Sequence, residues 1–183
     1  IFIYILVLSI LLVLLLFTFN TNIYLVIASM VGMGLAFSFL IFKKMGAIPK
    51  VIQFALFTII TTNLLLTIFF YPKLLEYQLG NQVSKVIRQK NIDKNKFYLH
   101  QVYYERSLDF YSNYSFQNIE NLNSMKTNDY VLIKNELINQ ELLSNFNKIE
   151  LISTFHISTL NAAFLNPKSR DSALTLYTIL QKK

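Results

Sequence analysis

Long apolar runs dominate the first 72 residues of the chain. Three of these runs, at positions 1–19, 23–42 and 51–71, contain no Asp, Glu, Lys, Arg or His. A short polar turn follows the first run, and a basic loop follows the second. An α-helix of about 20 apolar residues is long enough to cross the hydrocarbon core of a bilayer, which is ~30 Å thick. The pattern therefore predicts three transmembrane helices within residues 1–72.

From residue 73 onward the pattern changes to short segments with alternating helical and strand periodicity. Helices that alternate with strands favour a small α/β sandwich. The predicted elements are helices at 73–90, 107–112 and 136–145, strands at 97–104, 114–119, 130–134, 148–156 and 174–180, and a helical turn at 167–173.

Charge is divided between the two parts in a way that predicts an orientation. Residues 1–72 carry no acidic residue and three lysines, Lys43, Lys44 and Lys50, whereas the other 14 basic and all 10 acidic residues lie in 73–183. Short, positively charged loops stay in the cytoplasm, so the loop with the three lysines is expected there and the last part on the opposite side. The predicted fold class is a multi-span α-helical membrane region of three helices, followed by a small extracytoplasmic α/β domain.

The chain begins at Ile1, inside an apolar run and without a methionine. A signal peptide would have a basic n-region and a shorter apolar core, and the run at 1–19 has neither feature. We therefore expect this sequence to be the C-terminal part of a longer membrane protein. Its missing N-terminal membrane helices would then be partners of the helices present here.

The residue content argues against several kinds of chemistry. The chain has no cysteine, so it can form neither a disulfide nor a thiolate zinc site. His100 and His156 each lie in a predicted strand, with no second histidine or carboxylate pair at ligand spacing, and no metal site is predicted. The basic residues are scattered among acidic ones, which argues against nucleic-acid binding. The pattern alone identifies no catalytic residue and no cofactor.

Two groups of residues are candidates for substrate binding. Lys73 and Tyr77 follow the third apolar run. At that place basic and aromatic side chains either anchor a helix at the membrane surface or meet the phosphate of a lipid carrier. Tyr104, Arg106 and Tyr111 form the second group, within a stretch that also holds carboxylates. Such a stretch either binds sugar rings or phosphates, or begins a helix that carries surface ion pairs.

Three short stretches carry a resemblance to a known family. They are YPKLLEYQLGNQ at 71–82, SLDFYSN at 107–113 and FLNPKSR at 164–170. Together with the order of apolar runs and α/β segment, they resemble the C-terminal portion of bacterial membrane glycosyltransferases. Within that group of enzymes, the resemblance is to the protein-mannosyltransferases and the lipid A aminoarabinose transferases.

The resemblance implies an enzyme of the GT-C class. Such an enzyme moves a sugar from a polyprenyl-phosphate carrier to a lipid, glycan or protein outside the cytoplasm. Its location would be the bacterial inner membrane, as a multi-pass protein, with membrane lipid and the lipid-linked sugar as partners. The catalytic acid of these enzymes lies in the first extracytoplasmic loop, near the N-terminus, and no Asp or Glu of this sequence lies at a matching motif. The resemblance thus implies that this segment alone is inactive, and it leaves any divalent metal open.

A second interpretation is a non-catalytic binding or sensory α/β domain anchored on three helices. The coding sequence upstream of Ile1 discriminates between the two. Further membrane spans, with an acidic residue in the first outer loop, favour the enzyme, whereas an immediate start codon favours the anchored module.

Overall fold

The computed structural model of the protein describes residues 2–19, 22–41, 47–102, 106–156 and 159–183. The chain divides into two compact units. The helical unit comprises Ile1–Leu74 and Leu165–Pro167, and the sheet unit comprises Leu75–Phe164 and Lys168–Lys183. Each unit has its own set of buried apolar side chains.

Long apolar helices form the helical unit. They are α1, Phe2–Phe19; α2, Ile23–Ile41; and α3, Ala47–Leu65, which is followed by a π-helical turn at Leu66–Phe70 and by α4, Tyr71–Leu75. Leu15, Val26 and Leu65 are fully buried. The basic loop of the sequence analysis falls largely on residues 42–46, which lie outside the described residues.

The number of helices suited to a membrane differs from the prediction. Within the described ranges, one continuous helix, Pro49–Leu75, is long and apolar enough to cross a bilayer. It has 27 residues, and its most apolar window is only 11% buried. The apolar helical stretches Ser9–Phe19 and Ile23–Gly32 fall in the range of 10–17 residues, which is short of the ~20 that a bilayer requires. The prediction of a multi-span membrane region of three helices is therefore wrong, because the described residues contain one helix that meets the length and hydropathy of a membrane span.

The long helix also extends past the end predicted for it. The third apolar run was expected to end at residue 71, but the helix continues through Pro72 to Leu75. Proline lacks the N–H for a helical hydrogen bond, and its ring clashes with the carbonyl four residues earlier. The π-helical turn just before it, in which the Tyr71 N–H donates to the Leu66 carbonyl, widens the helix at this point.

The helix predicted over 73–90 is in fact two helices. Helix α4 ends at Leu75, Gln78 is extended with φ −73° and ψ 131°, and α5 runs over Leu79–Gln89. The Asn81 side chain donates a hydrogen bond of 2.8 Å to the carbonyl of Leu75, which satisfies one acceptor at the end of α4. Leu75 and Leu79 keep helical spacing across the break, and periodicity therefore could not reveal it.

The described part of the sheet unit contains a mixed five-stranded sheet. Its strand order is β2-β1-β3-β5-β4. Strands β1, β2 and β3 are parallel, whereas β5 is antiparallel to both of its neighbours, β3 and β4. The strands are β1, Phe97–His100; β2, Gln117–Asn118; β3, Tyr130–Lys134; β4, Phe146–Thr154; and β5, Thr175–Lys182.

Side chains alternate along the strands, so the sheet buries apolar residues on both faces. On one face, Leu132 and Ile179 share a core with α5 and with α6, Arg106–Ser112. On the other face, Val131 and Leu180 share a core with α7, Gln140–Asn145, and with the connection between β2 and β3. Two short helices, α8 at Ala162–Leu165 and α9 at Arg170–Ala173, precede β5.

Several element bounds differ from those predicted, for local reasons. The helix predicted over 136–145 begins only at Gln140, because the Asn139 side chain accepts the Leu142 N–H at 2.7 Å and caps the helix there. The strand predicted at 114–119 pairs over two residues only. The strand predicted at 97–104 is observed at 97–100, and positions 103 and 104 lie outside the described residues. The strands predicted at 148–156 and 174–180 are observed at 146–154 and 175–182, whereas the strand at 130–134 has the predicted bounds.

Candidate functional site

Helices α5 and α6 meet at Gly80. A Cβ atom on Gly80 would lie 2.3 Å from the carbonyl carbon and oxygen of Ser107, and 2.5 Å from the Leu108 nitrogen. Separations this small are well inside the van der Waals contact distance, so only glycine fits here while the helices keep their positions. Val83 and Leu108, next to this contact in the sequence, belong to the core on the same face of the sheet.

A cluster of aromatic side chains around Arg170 forms a second contact between distant segments. The Arg170 guanidinium lies 5.5 Å from the Tyr77 ring centroid and 5.3 Å from that of Phe164. Its Nε donates to the Phe164 carbonyl at 3.0 Å, and its Nη1 donates to the Tyr77 hydroxyl at 3.2 Å. Phe155 stacks on Phe164 with centroids 3.9 Å apart. These contacts tie Tyr77 into the framework of the sheet unit.

The two contacts bring together the three stretches that carry the family resemblance. Gly80 and Tyr77 belong to the first stretch, Ser107 to the second, and Phe164 and Arg170 to the third. The first stretch thus contacts the second through Gly80 and the third through Tyr77.

The candidate binding residues from the sequence lie in different places. Lys73 is exposed in α4 of the helical unit, and Tyr77 is half-buried in the cluster around Arg170. Arg106 is exposed at the first position of α6, and Tyr111 is half-buried on the same helix. Five helical positions separate these two, so they lie about 140° apart around the helix. Tyr104 lies outside the described residues.

A polar cleft of about 430 Å³ opens on the α7 side of the sheet. It lies between α7 and the segment that follows β2, near the carboxyl ends of β1 and β2. Ligands of open α/β sheets bind at the carboxyl ends of the strands, beside the point where the strand order reverses. Here the chain leaves β1 for β2 on one side and then returns to β3 on the other. The lining residues are His100, Gln101, Glu120, Asn121, Leu122, Asn123, Asn139, Glu141, Leu142, Asn145 and Phe146.

Local hydrogen bonds position several of the cleft side chains. His100 Nδ1 lies 2.8 Å from the Ile119 carbonyl. A carbonyl oxygen can only accept, so Nδ1 donates and Nε2 of the neutral ring is an acceptor. The side-chain oxygen of Asn121 accepts the Asn123 N–H at 2.9 Å, and Asn139 caps α7 in the same way. The NH₂ groups of Asn121 and Asn139 can therefore donate hydrogen bonds to a ligand.

The charged side chains among the described lining residues are acidic, whereas two lysines lie behind the lining: Lys182 Nζ is 4.7 Å from the Phe146 ring centroid, and Lys183 Nζ donates to the carbonyls of Leu143 and Ser144. Glu120 and Glu141 are exposed at its rim, and the lining residues that the structure describes include neither Lys nor Arg. A second cleft, of about 480 Å³, shares His100, Gln101 and Glu120 with the first. Carboxylates and amides in this arrangement can accept and donate several hydrogen bonds to a hydroxylated ligand.

Sequence reasoning missed the cleft residues. Glu120 and Asn121 come directly after β2, and Asn139 precedes α7, but the strand order that makes them neighbours was not predictable from the sequence. Polar residues that follow a predicted strand were the available signal. No cluster of three or more His, Cys, Asp or Glu residues that could hold a metal ion occurs within the described ranges.

Comparison of the chain with protein-family models, with curated protein sequences and with solved structures gives no match.

Proposed function

We propose that this chain is part of a membrane-bound glycosyltransferase, in which the sheet unit contributes binding and not the chemical step. The enzyme would move a sugar from a polyprenyl-phosphate carrier to an acceptor outside the cytoplasm. The observation that carries the proposal is that the first of three stretches resembling such enzymes, which are more than 20 residues apart in sequence, contacts the second at Gly80 and the third at Tyr77.

This packing supports the resemblance for a physical reason. A close helix contact at Gly80 and an arginine between two rings are features that a shared domain architecture would preserve. The stretches that carry the resemblance therefore include residues that hold the sheet unit together. The proposal accordingly concerns the architecture of the sheet unit and not a catalytic residue within it.

The membrane part of the proposal rests on the single helix Pro49–Leu75. Its length and apolar surface suit a bilayer, and the chain enters α5 of the sheet unit only three residues after it ends. We infer that this helix anchors the sheet unit at the outer surface of a bacterial cytoplasmic membrane. Membrane lipid, the lipid-linked sugar and other parts of the same enzyme would be its partners there.

Transfer assays on isolated membranes test the proposal. Membranes from cells whose gene lacks the codons for residues 75–183 are compared with wild-type membranes, with radiolabelled sugar on a polyprenyl phosphate as donor. We expect transfer to extracytoplasmic acceptors to be lost, while the exposed variant Glu136→Ala keeps the wild-type rate. Equal transfer by the deletion and wild-type membranes would refute the proposal.

A non-catalytic binding module on a membrane anchor is the second candidate function. The polar cleft favours it, because its described lining offers hydrogen-bonding groups to a ligand. Normal transfer in the deletion strain, together with ligand binding by the purified chain, is the result that would favour this module over the enzyme.

A further inference from the structure

We propose that the cleft between α7 and the β2–β3 connection binds the uncharged, hydroxyl-bearing part of a glycan. This inference deepens the proposed function, on which it rests for the glycan's role as acceptor. It assigns the cleft a ligand class, a neutral saccharide, and it excludes the phosphate of the carrier from this place.

The hydrogen-bonding groups of the cleft match vicinal hydroxyls. A hydroxyl group donates one hydrogen bond and accepts others, so a sugar needs a mixed set of donors and acceptors. The NH₂ groups of Asn121 and Asn139 supply donors, since their oxygens are occupied by backbone N–H groups. Glu120 and Glu141 supply acceptors, and His100 Nε2 supplies a further one beside them.

The electrostatics of the cleft select against a phosphate. Phosphate sites in proteins use Arg, Lys or a helix N-terminus to neutralise the anion. The described lining of the cleft contains no Arg or Lys, and α7, whose N-cap Asn139 lies in the lining, has only six residues; two carboxylates, Glu120 and Glu141, lie at the rim. A phosphorylated ligand would meet repulsion from both, whereas charge-assisted hydrogen bonds from neutral hydroxyls to a carboxylate are among the stronger ones.

The size and the floor of the cleft suit one or two sugar rings. A volume of about 430 Å³ lies within the range of small-molecule sites, roughly 300–1,000 Å³. Leu142 is a half-buried apolar part of the lining, against which the C–H face of a ring can pack, whereas Phe146 is 3% exposed and belongs to the core beneath. The adjoining cleft of about 480 Å³, which shares His100 and Glu120, has room for a neighbouring ring.

Direct binding measurements on the full chain test this inference. The protein is purified in a zwitterionic detergent, because sugar-headed detergents would compete for the cleft. Glucose, mannose, galactose and N-acetylglucosamine are titrated individually through the millimolar range, with glucose 6-phosphate and inorganic phosphate as charged comparators. Saturation-transfer NMR detects the bound saccharide, and its dose dependence gives the Kd.

The variants isolate the cleft from the rest of the surface. Removal of a charged hydrogen-bond partner in Glu120→Ala or Glu141→Ala is expected to weaken saccharide binding about tenfold or more. Glu136→Ala, an exposed carboxylate that does not line the cleft, is the matched control and should bind as wild type. Circular dichroism and thermal unfolding establish that each variant is folded.

The results separate this inference from the proposed function. Saccharide binding that the two cleft variants weaken and the control does not, with glucose 6-phosphate weaker than glucose, supports the cleft. Absence of saturable binding by all four saccharides, wild-type affinity in both cleft variants, or tighter binding of glucose 6-phosphate overturns it. Membranes that transfer sugar at the wild-type rate with Glu120→Ala and Glu141→Ala combined overturn the acceptor role of the cleft while leaving the enzyme proposal in place.

Discussion

Replacement of Gly80 by alanine should destabilise the sheet unit. Alanine is the better helix former by about 1 kcal/mol, so an exposed helical position would gain stability from this change. At Gly80 the new methyl group would lie 2.3 Å from the Ser107 carbonyl and 2.5 Å from the Leu108 nitrogen. These are backbone atoms, so the overlap is removed only if α5 and α6 separate by about 1 Å. Overpacking of this kind costs ~1–3 kcal/mol of stability.

The steric cost should exceed the gain in helix propensity. Separation of the two helices also loosens the contacts of Val83 and Leu108, both of which belong to the core beneath. We expect a net loss of about 1 kcal/mol, which for a unit of this size lowers Tm by roughly 4 °C. Thermal unfolding of the full chain in detergent, followed by far-ultraviolet circular dichroism, measures this change.

Two control variants distinguish the close contact from general effects of alanine. Gly34→Ala makes the same substitution in α2, where nothing lies within 4 Å of the added Cβ, and it should leave Tm unchanged or raise it. Lys85→Ala alters an exposed position of α5 itself and should stay within about 0.5 kcal/mol of wild type. An unchanged or raised Tm for Gly80→Ala would refute the geometry of the α5–α6 contact.

Three further changes test other parts of the structure. Arg170→Lys should lower stability by about 1–2 kcal/mol in thermal unfolding, because an ammonium cannot donate to two oxygens and lie against two rings as the guanidinium does; equal Tm values would argue against the cluster. Asp129→Ala removes the acceptor of a backbone N–H at 2.8 Å and should cost about 1–2 kcal/mol in urea unfolding, whereas Asp129→Asn keeps an acceptor and should cost less. Ile60→Asp, near the middle of the long apolar helix, should oppose membrane insertion by about 3 kcal/mol and release the chain from carbonate-washed membranes, and Ile60→Leu should not. Retention of both Ile60 variants in the membrane would contradict the anchor.

Local patterns predicted those elements whose formation depends on their own residues. The strand at 130–134 was predicted with the bounds that the structure shows, because YVLIK is apolar on both faces and lies in the interior of the sheet. The apolar positions Val83, Val86 and Ile87 of the first amphipathic helix are buried as their spacing predicted. Such segments carry their signal within a few residues, and the tertiary environment reinforces it.

The errors arise at features for which local periodicity and hydropathy carry no signal. The apolar runs at 1–19 and 23–42 predicted membrane spans, but among the described residues only the helix Pro49–Leu75 is long and apolar enough to cross a bilayer. The break between α4 and α5 depends on Asn81, which donates to the carbonyl of Leu75. The cleft depends on the pairing of β1 with both β2 and β3, which no local pattern encodes.

The two faces of the sheet separate what holds the sheet unit together from what it can bind. In β3, Leu132 belongs to the core on the α5–α6 face, whereas Val131 and Ile133 belong to the core on the α7 face, where the cleft opens. The contacts of Gly80 lie on the α5–α6 face. Gly80→Ala should therefore lower Tm but have little effect on the Kd with which the folded protein binds a saccharide. Glu120→Ala lies at an exposed rim and should change the Kd with little effect on Tm. A variant on either face that changed both Tm and the saccharide Kd would show that the sheet transmits strain between its faces. Saccharide binding and the stability of the sheet unit could then not be assigned to separate faces.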